Sequence, residues 1–259
     1  MSSKILDVQN VTVSFDGFKV LDNLNFSLGY GELRFLIGPN GAGKSTLLDI
    51  MTGKTRPDKG RVMFDNRLDV TRITEHRIVQ AGIGRKFQTP SVFSSLTVYE
   101  NIEAALGYKT PIRNLGKKLS GEHSDMIDET LDSIGLSDQR NRSAGILSHG
   151  QKQWLEIGML FVQQPKVLLL DEPVAGMTRK ERDHTGELLQ RIALGRSILV
   201  VEHDMVFVRQ FASTVTVLHM GKLLCEGPVA EVQSDPEVIS VYLGHSNRAE
   251  TPATETAAA

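Results

Sequence analysis

Apolar positions alternate at Val11, Val13 and Phe15, and again at Leu24, Phe26 and Leu28. That is the period of half-buried strands, and Asp16-Gly17 between them supplies turn residues. A compact apolar run, Phe35-Leu36-Ile37, then feeds a glycine-rich turn, and Lys44 to Met51 has helical spacing that stops at Gly53. The pattern predicts strand, loop, helix. Gly60 to Asp65 predicts a further strand, Thr74 to Ala81 a short helix, and Ile83 to Phe87 an apolar segment leading into Gln88.

Beyond Gln88 the period becomes helical. Thr97 and Glu100 form a capping-box signature ahead of Ile102 to Leu106, and Met126, Ile127, Leu131 and Ile134 make one face that Gly135 ends. Ser148 and Gln151 form a second capping box, opening a helix that stops before Pro165. Residues 89–163 read as an inserted helical lobe. Val167 to Leu170 and Ile198 to Val201 are continuous apolar runs of strand length separated by a helical segment, Arg179 to Leu194, as a buried parallel βαβ unit requires. Thr214 to Leu218 and Lys222 to Cys225 read as a hairpin turning at Met220-Gly221, followed by two short helices with Pro228 and Pro236 at their first positions. Residues 246–259, small and polar with a run of alanines, predict a disordered tail.

Composition narrows the class. A chain of 259 residues, 40% hydrophobic and 23% charged, suits one large α/β domain or a core with an inserted lobe. The net charge of -2, from 29 Lys+Arg against 31 Asp+Glu, creates no long-range field drawing the molecule onto nucleic acid or anionic lipid. Cys225 is the single cysteine and forms no internal disulfide, in keeping with a reducing compartment. Met1 to Asn10 lacks the basic and apolar regions of a signal peptide, and no apolar run approaches the ~20 residues that span a bilayer. The expectation is a cytoplasmic protein that meets a membrane only through protein partners.

Gly38-Pro39-Asn40-Gly41-Ala42-Gly43-Lys44-Ser45 matches the phosphate-loop pattern G-x-x-x-x-G-K-[ST] in its required strand-to-helix setting, with Thr46 continuing into the helix. Glycines let backbone N–H groups turn inward around phosphates, the helix start presents its positive end, Lys44 supplies a cation, and the Ser45 hydroxyl is placed for Mg²⁺. ATP and Mg²⁺ are therefore the expected ligands. Leu168-Leu169-Leu170-Asp171-Glu172 delivers two carboxylates to the C-terminal end of a buried strand, where open α/β sheets bind ligands. Asp171 suits the magnesium shell, and Glu172, just past the strand, suits a general base that polarises water. The next strand ends in Val201-Glu202-His203, which brings His203 toward Glu172 and the terminal phosphate.

Leu147-Ser148-His149-Gly150-Gln151 resembles the Leu-Ser-Gly-Gly-Gln signature of the ATP-binding cassette (ABC) ATPases. With the phosphate loop, Gln88, Asp171-Glu172 and His203 it completes that family's ordered set, over roughly Ile5 to Leu243. The resemblance implies an α/β fold: a P-loop core with an antiparallel β subdomain and an inserted α-helical subdomain, forming one nucleotide-binding domain over 1–245. It also implies a head-to-tail dimer in which Ser148, Gly150 and Gln151 of one subunit close over the ATP of the other. In such proteins Gln88 binds magnesium and senses the membrane partner, and a residue near Phe15 stacks on adenine. Phe15, at the end of an alternating strand, suits the core as well as a cofactor.

Two positions depart from the family pattern. His149 replaces a signature glycine, and Met177-Thr178 stands where the loop after the carboxylates usually has an acidic residue or Asn. The segments Gly84 to Phe93 and Leu147 to Thr178 look like the first ATP-binding subunit of bacterial urea importers, close kin to branched-chain amino acid importers. That likeness implies a related second ATPase subunit as heterodimer partner, two permeases, a periplasmic binding protein, and a peripheral place on the cytoplasmic face of the inner membrane. An importer of branched-chain amino acids or short amides is the alternative. A nucleic-acid or ribosome-acting ABC ATPase usually carries tandem cassettes, coiled coils or basic extensions, and a P-loop kinase or GTPase would leave the signature and His203 as accidents.

Overall fold

The computed structural model describes residues 4–86, 91–107 and 121–246. The chain opens with a long antiparallel hairpin, β1 (Lys4–Phe15) and β2 (Phe18–Gly29). β3 (Leu33–Ile37), buried along its whole length, runs through the loop 38–43 into α1 (Lys44–Met51). β4 (Lys59–Phe64), the short β5 (Leu68–Asp69), a 3-10 turn at Val70–Arg72, α2 (Glu75–Ala81) and β6 (Ile83–Lys86) follow. Next come α3 (Val98–Gly107), α4 (Gly121–Ser133) and α5 (His149–Phe161), then β7 (Val167–Asp171), α6 (Arg179–Ala193), β8 (Ser197–Val201) and α7 (Met205–Phe211). The hairpin β9 (Thr214–His219) and β10 (Lys222–Pro228) leads to α8 (Val229–Ser234) and α9 (Pro236–Ser246).

Two sheets result. A four-stranded antiparallel sheet has the order β2-β1-β4-β5, and a six-stranded sheet the order β10-β9-β3-β8-β7-β6, parallel except for its edge strand β10. β8 lies between β3 and β7, so the C-terminal ends of all three emerge side by side. The parallel strands are apolar on both faces because both are covered. Leu168 and Leu170 of β7, with Ile198 and Val200 of β8, join a cluster containing Ile102, Leu131, Leu155 and Leu188. Val167, Leu169, Leu199 and Val201 face the opposite way, toward Leu47, Val8 and Phe64. Side chains of period two thus divide between a helical layer and a layer made of α1 and the antiparallel sheet.

Most predicted elements form, and the differences are local. α7 and β5 are additional; α7 follows Asp204, whose carboxylate accepts from the backbone N–H groups of Val206 and Phe207. Pro228 ends β10 and caps α8 rather than opening that helix, whereas Pro236 is the first residue of α9. Gln88 and residues 247–259 of the expected tail lie outside the described residues. Among the described residues, no helix is long and apolar enough to cross a membrane.

Candidate functional site

β3 ends at Ile37 and delivers the glycine loop to the sheet edge. Gly38 has φ 151°, and a Cβ there would lie 2.2 Å from the carbonyl oxygen of Leu218 on β9, so only glycine passes. The N-cap of α1 is Gly43, no side chain caps the helix, and its first turn carries no acidic residue. Its N–H groups and positive dipole end therefore serve an anion placed from outside. Asn40 to Thr46, together with Val20, Val201, Asp171 and Glu172, line a hollow of about 180 Å³. Lys44 Nζ lies across the loop, donating to the carbonyls of Gly38 at 2.7 Å and Pro39 at 3.0 Å. Burial lowers its pKa, while the nearby Glu172 and Asp171 carboxylates oppose that shift.

The carboxylates come from β7. Burial raises the pKa of Asp171, the Arg85 guanidinium at 3.5 Å opposes it, and Glu172 adds to the rise. Arg85, on β6, is also ion-paired to Asp49 of α1, tying three elements beneath the hollow. Glu172 leaves the strand in a left-handed conformation, φ 45°, fixed by its N–H donating to Val201 O at 2.9 Å. That turn brings Glu172 Oε1 to 3.3 Å from His203 Nδ1 at the end of β8. A carboxylate, an imidazole, an ammonium and a ring of N–H donors meet at one edge. Ser45 and Asp171 both line the hollow and offer hard oxygen donors of the kind Mg²⁺ takes.

Phe15 is half-exposed at the end of β1, paired with Phe18 across the turn, and is not among the residues lining the hollow; Val20 of β2 is. Nor does the structure bring Ser148, Gly150 or Gln151 there. They form a separate helix start, where Ser148 Oγ accepts from Gln151 N at 3.2 Å and Gln151 Oε1 accepts from Ser148 N at 3.0 Å. Ser148 is exposed on the surface.

Comparison with known proteins agrees with this geometry. Residues 21–175 match the family described as ABC transporter, and 222–246 match one described as branched-chain amino acid ATP-binding cassette transporter. The chain belongs to the ABC transporter ATP-binding proteins. It is 34% identical over 253 residues, 93% of this chain and 98% of the other, to the probable branched-chain amino acid transport ATP-binding protein LivG of Methanocaldococcus jannaschii. It is 33% identical to the high-affinity LivG protein of Escherichia coli K12, covering 95% of this chain and all of that one. A crystal structure of an ABC transporter cassette in its ADP conformation superposes with a TM-score of 0.82 at 32% identity, covering 94% of this chain and 100% of that chain. A dimeric cassette bound to ADP and Pi in a post-hydrolysis state gives 0.72 at 27% identity, over 86% and 98%. The chain is thus an ATP-hydrolysing transporter subunit with the ABC ATPase fold.

Several residues that support the ABC site were not singled out from sequence. Glu202, almost fully buried, accepts from the N–H groups of Val174, His203 and Asp204, and so binds the loop after Glu172 to the strand that carries His203. Burial raises its pKa and those three N–H groups oppose the rise. Lys86 and Glu156, both buried, form an ion pair at 3.6 Å that joins β6 to the signature helix α5. Glu181 reaches back from α6 to Ser148, with Ser148 Oγ donating to its Oε1 at 3.1 Å. A polar residue at an otherwise apolar position flags Lys86; Glu181 shows only as a capping residue.

Proposed function

We propose that this chain energises solute import by holding Mg-ATP on 38–46 and hydrolysing it against a second ATPase subunit. The observation that carries this reading is the division of the ABC motifs. Lys44, Asp171 and Glu172 line one hollow, with His203 beside Glu172, while Ser148, Gly150 and Gln151 form a helix start away from it at which Ser148 is exposed. In this reading the loop N–H groups and Lys44 bind the phosphates, with Phe15 as the adenine platform. Ser45, Asp171 and Gln88 hold Mg²⁺, which supplies charge neutralisation at the phosphates. Glu172 takes the proton from the attacking water, and His203 orients Glu172 and contacts the terminal phosphate. Ser148, Gly150 and Gln151 complete the partner's site.

The nucleotide-binding domain spans 1–245 in this scheme, with 89–163 as an inserted helical lobe. Its partners are a second ATPase subunit, two permeases and a periplasmic binding protein, with the chain peripheral on the cytoplasmic membrane face. The named relatives support an importer of the branched-chain amino acid group. The run Leu147 to Met159, together with Asp171 to Thr178, favours a second reading, urea, for the solute itself. Uptake of labelled leucine and of labelled urea by the reconstituted complex separates the two, since only the true solute accumulates with ATP. Glu172→Gln tests the mechanism: it is expected to trap ATP and dimerise, and a monomeric, still-active variant would overturn the assignment.

A further inference from the structure

The signature helix start already has an anion seated on it. Glu181 Oε1 accepts the Ser148 hydroxyl proton, and a Cβ built on Gly150 would lie 2.4 Å from the same oxygen. The carboxylate thus rests against the backbone of the first turn of α5, where the dipole favours negative charge. Its other oxygen accepts from Thr178 N at 2.9 Å and Thr178 Oγ1 at 2.8 Å, completing the capping box of α6. The Thr178 backbone bond leads the interactions that hold Glu181 below the usual carboxylate range, so it stands there ionised. His149 fastens the same pair of segments, with its Nε2 at 3.1 Å from Ala175 O.

Ser148 has one hydroxyl proton and its helix one positive end. A phosphate arriving from a partner subunit must take both from Glu181. We propose that Glu181 is a positioning residue acting as a gate: a resident anion that holds the signature closed in cis and must yield before the partner's ATP is gripped. This rests on the two-subunit site proposed above. It makes ATP-driven closure weaker than it would be without the charge, and it couples α5 to α6, because releasing Ser148 frees one oxygen of the group that caps α6.

The test is Glu181→Gln in the Glu172→Gln background, in the full chain, with the partner ATPase subunit added where one chain does not self-associate. Light scattering gives the ATP concentration for half-maximal dimerisation. Glutamine still completes a capping box but carries no charge and can leave the Ser148 proton free. The half-point is expected to fall roughly three- to fivefold, the scale of one charge at a helix terminus, with little change in melting temperature. An unchanged or raised half-point overturns the gate. Glu181→Ala is the second variant: it loses the α6 cap and melts earlier, yet the half-point is expected to fall again. Should Glu172→Gln alone fail to dimerise, the two-subunit reading fails; should it dimerise with no effect of Glu181→Gln, only the gate does.

Discussion

Glu172 sits in a left-handed backbone conformation that non-glycine residues seldom adopt, and the bond from its N–H to Val201 holds it there. Such strain costs of order 1–3 kcal/mol and is kept where the fold gains a placed side chain; here that is the approach of Glu172 to His203. His203→Ala is expected to lower kcat for ATP about a hundredfold while changing KM little, read in a steady-state phosphate-release assay. Gly38 is constrained by a steric limit rather than by chemistry. Gly38→Ala drives its Cβ into the Leu218 carbonyl, and a loss of roughly 2–4 kcal/mol is expected in denaturant unfolding.

At the level of elements, the capping boxes at Ser148 and Thr178 open the helices α5 and α6 that meet at the signature. Thr178, the departure from the family's acidic residue or Asn, is the N-cap of α6, and its hydroxyl accepts from Glu181 N at 3.4 Å. Thr178→Ala should cost about 1 kcal/mol of stability by urea denaturation, and Thr178→Asn far less. The buried Lys86–Glu156 pair joins β6 to α5, and removing Lys86 takes away the cation that opposes the burial of the Glu156 charge. Lys86→Met is expected to destabilise by roughly 3 kcal/mol near neutral pH. Burial already raises the Glu156 pKa, and Lys86 is the chief group pulling it back. Without Lys86 the folded-state pKa rises further above the unfolded value. The protonated form's stability is then present in acid and lost as pH rises through that folded pKa. The melting deficit of Lys86→Met should therefore be larger at about pH 7.5 than at about pH 4.5.

For the whole molecule, the consequence is incompleteness. The hollow over the phosphate loop has Lys44, Asp171 and Glu172 on its own chain, and the helix start that the proposed two-subunit site requires lies elsewhere. If two chains must share each site, specific ATPase activity should rise with protein concentration and Glu172→Gln should become dimeric on adding ATP. Activity per chain that is constant on dilution would count against sharing. A Ser148→Ala subunit mixed with a Lys44→Ala subunit should retain at most one composite site, as measured by turnover of the mixture.

Much of this was legible in the sequence because it depends on short-range spacing. The α1 boundaries at Lys44 and Met51, the boxes at Thr97 and Ser148, and the apolar runs of β7 and β8 follow from local geometry and periodicity. So does the phosphate loop, whose chemistry lies in consecutive residues. Three things waited for the tertiary structure. β8 between β3 and β7 is a matter of sheet order, and together with the left-handed turn at Glu172 it sets the 3.3 Å approach to His203 that the sequence indicated only in outline. The Lys86–Glu156 pair spans residues far apart in the chain, which no periodicity relates. Glu181 lies unremarked within the predicted helix Arg179 to Leu194, and only the packing of α6 against the start of α5 gives one of its oxygens to Ser148. A sequence records which groups a chain carries; which of them share one proton depends on how distant segments pack.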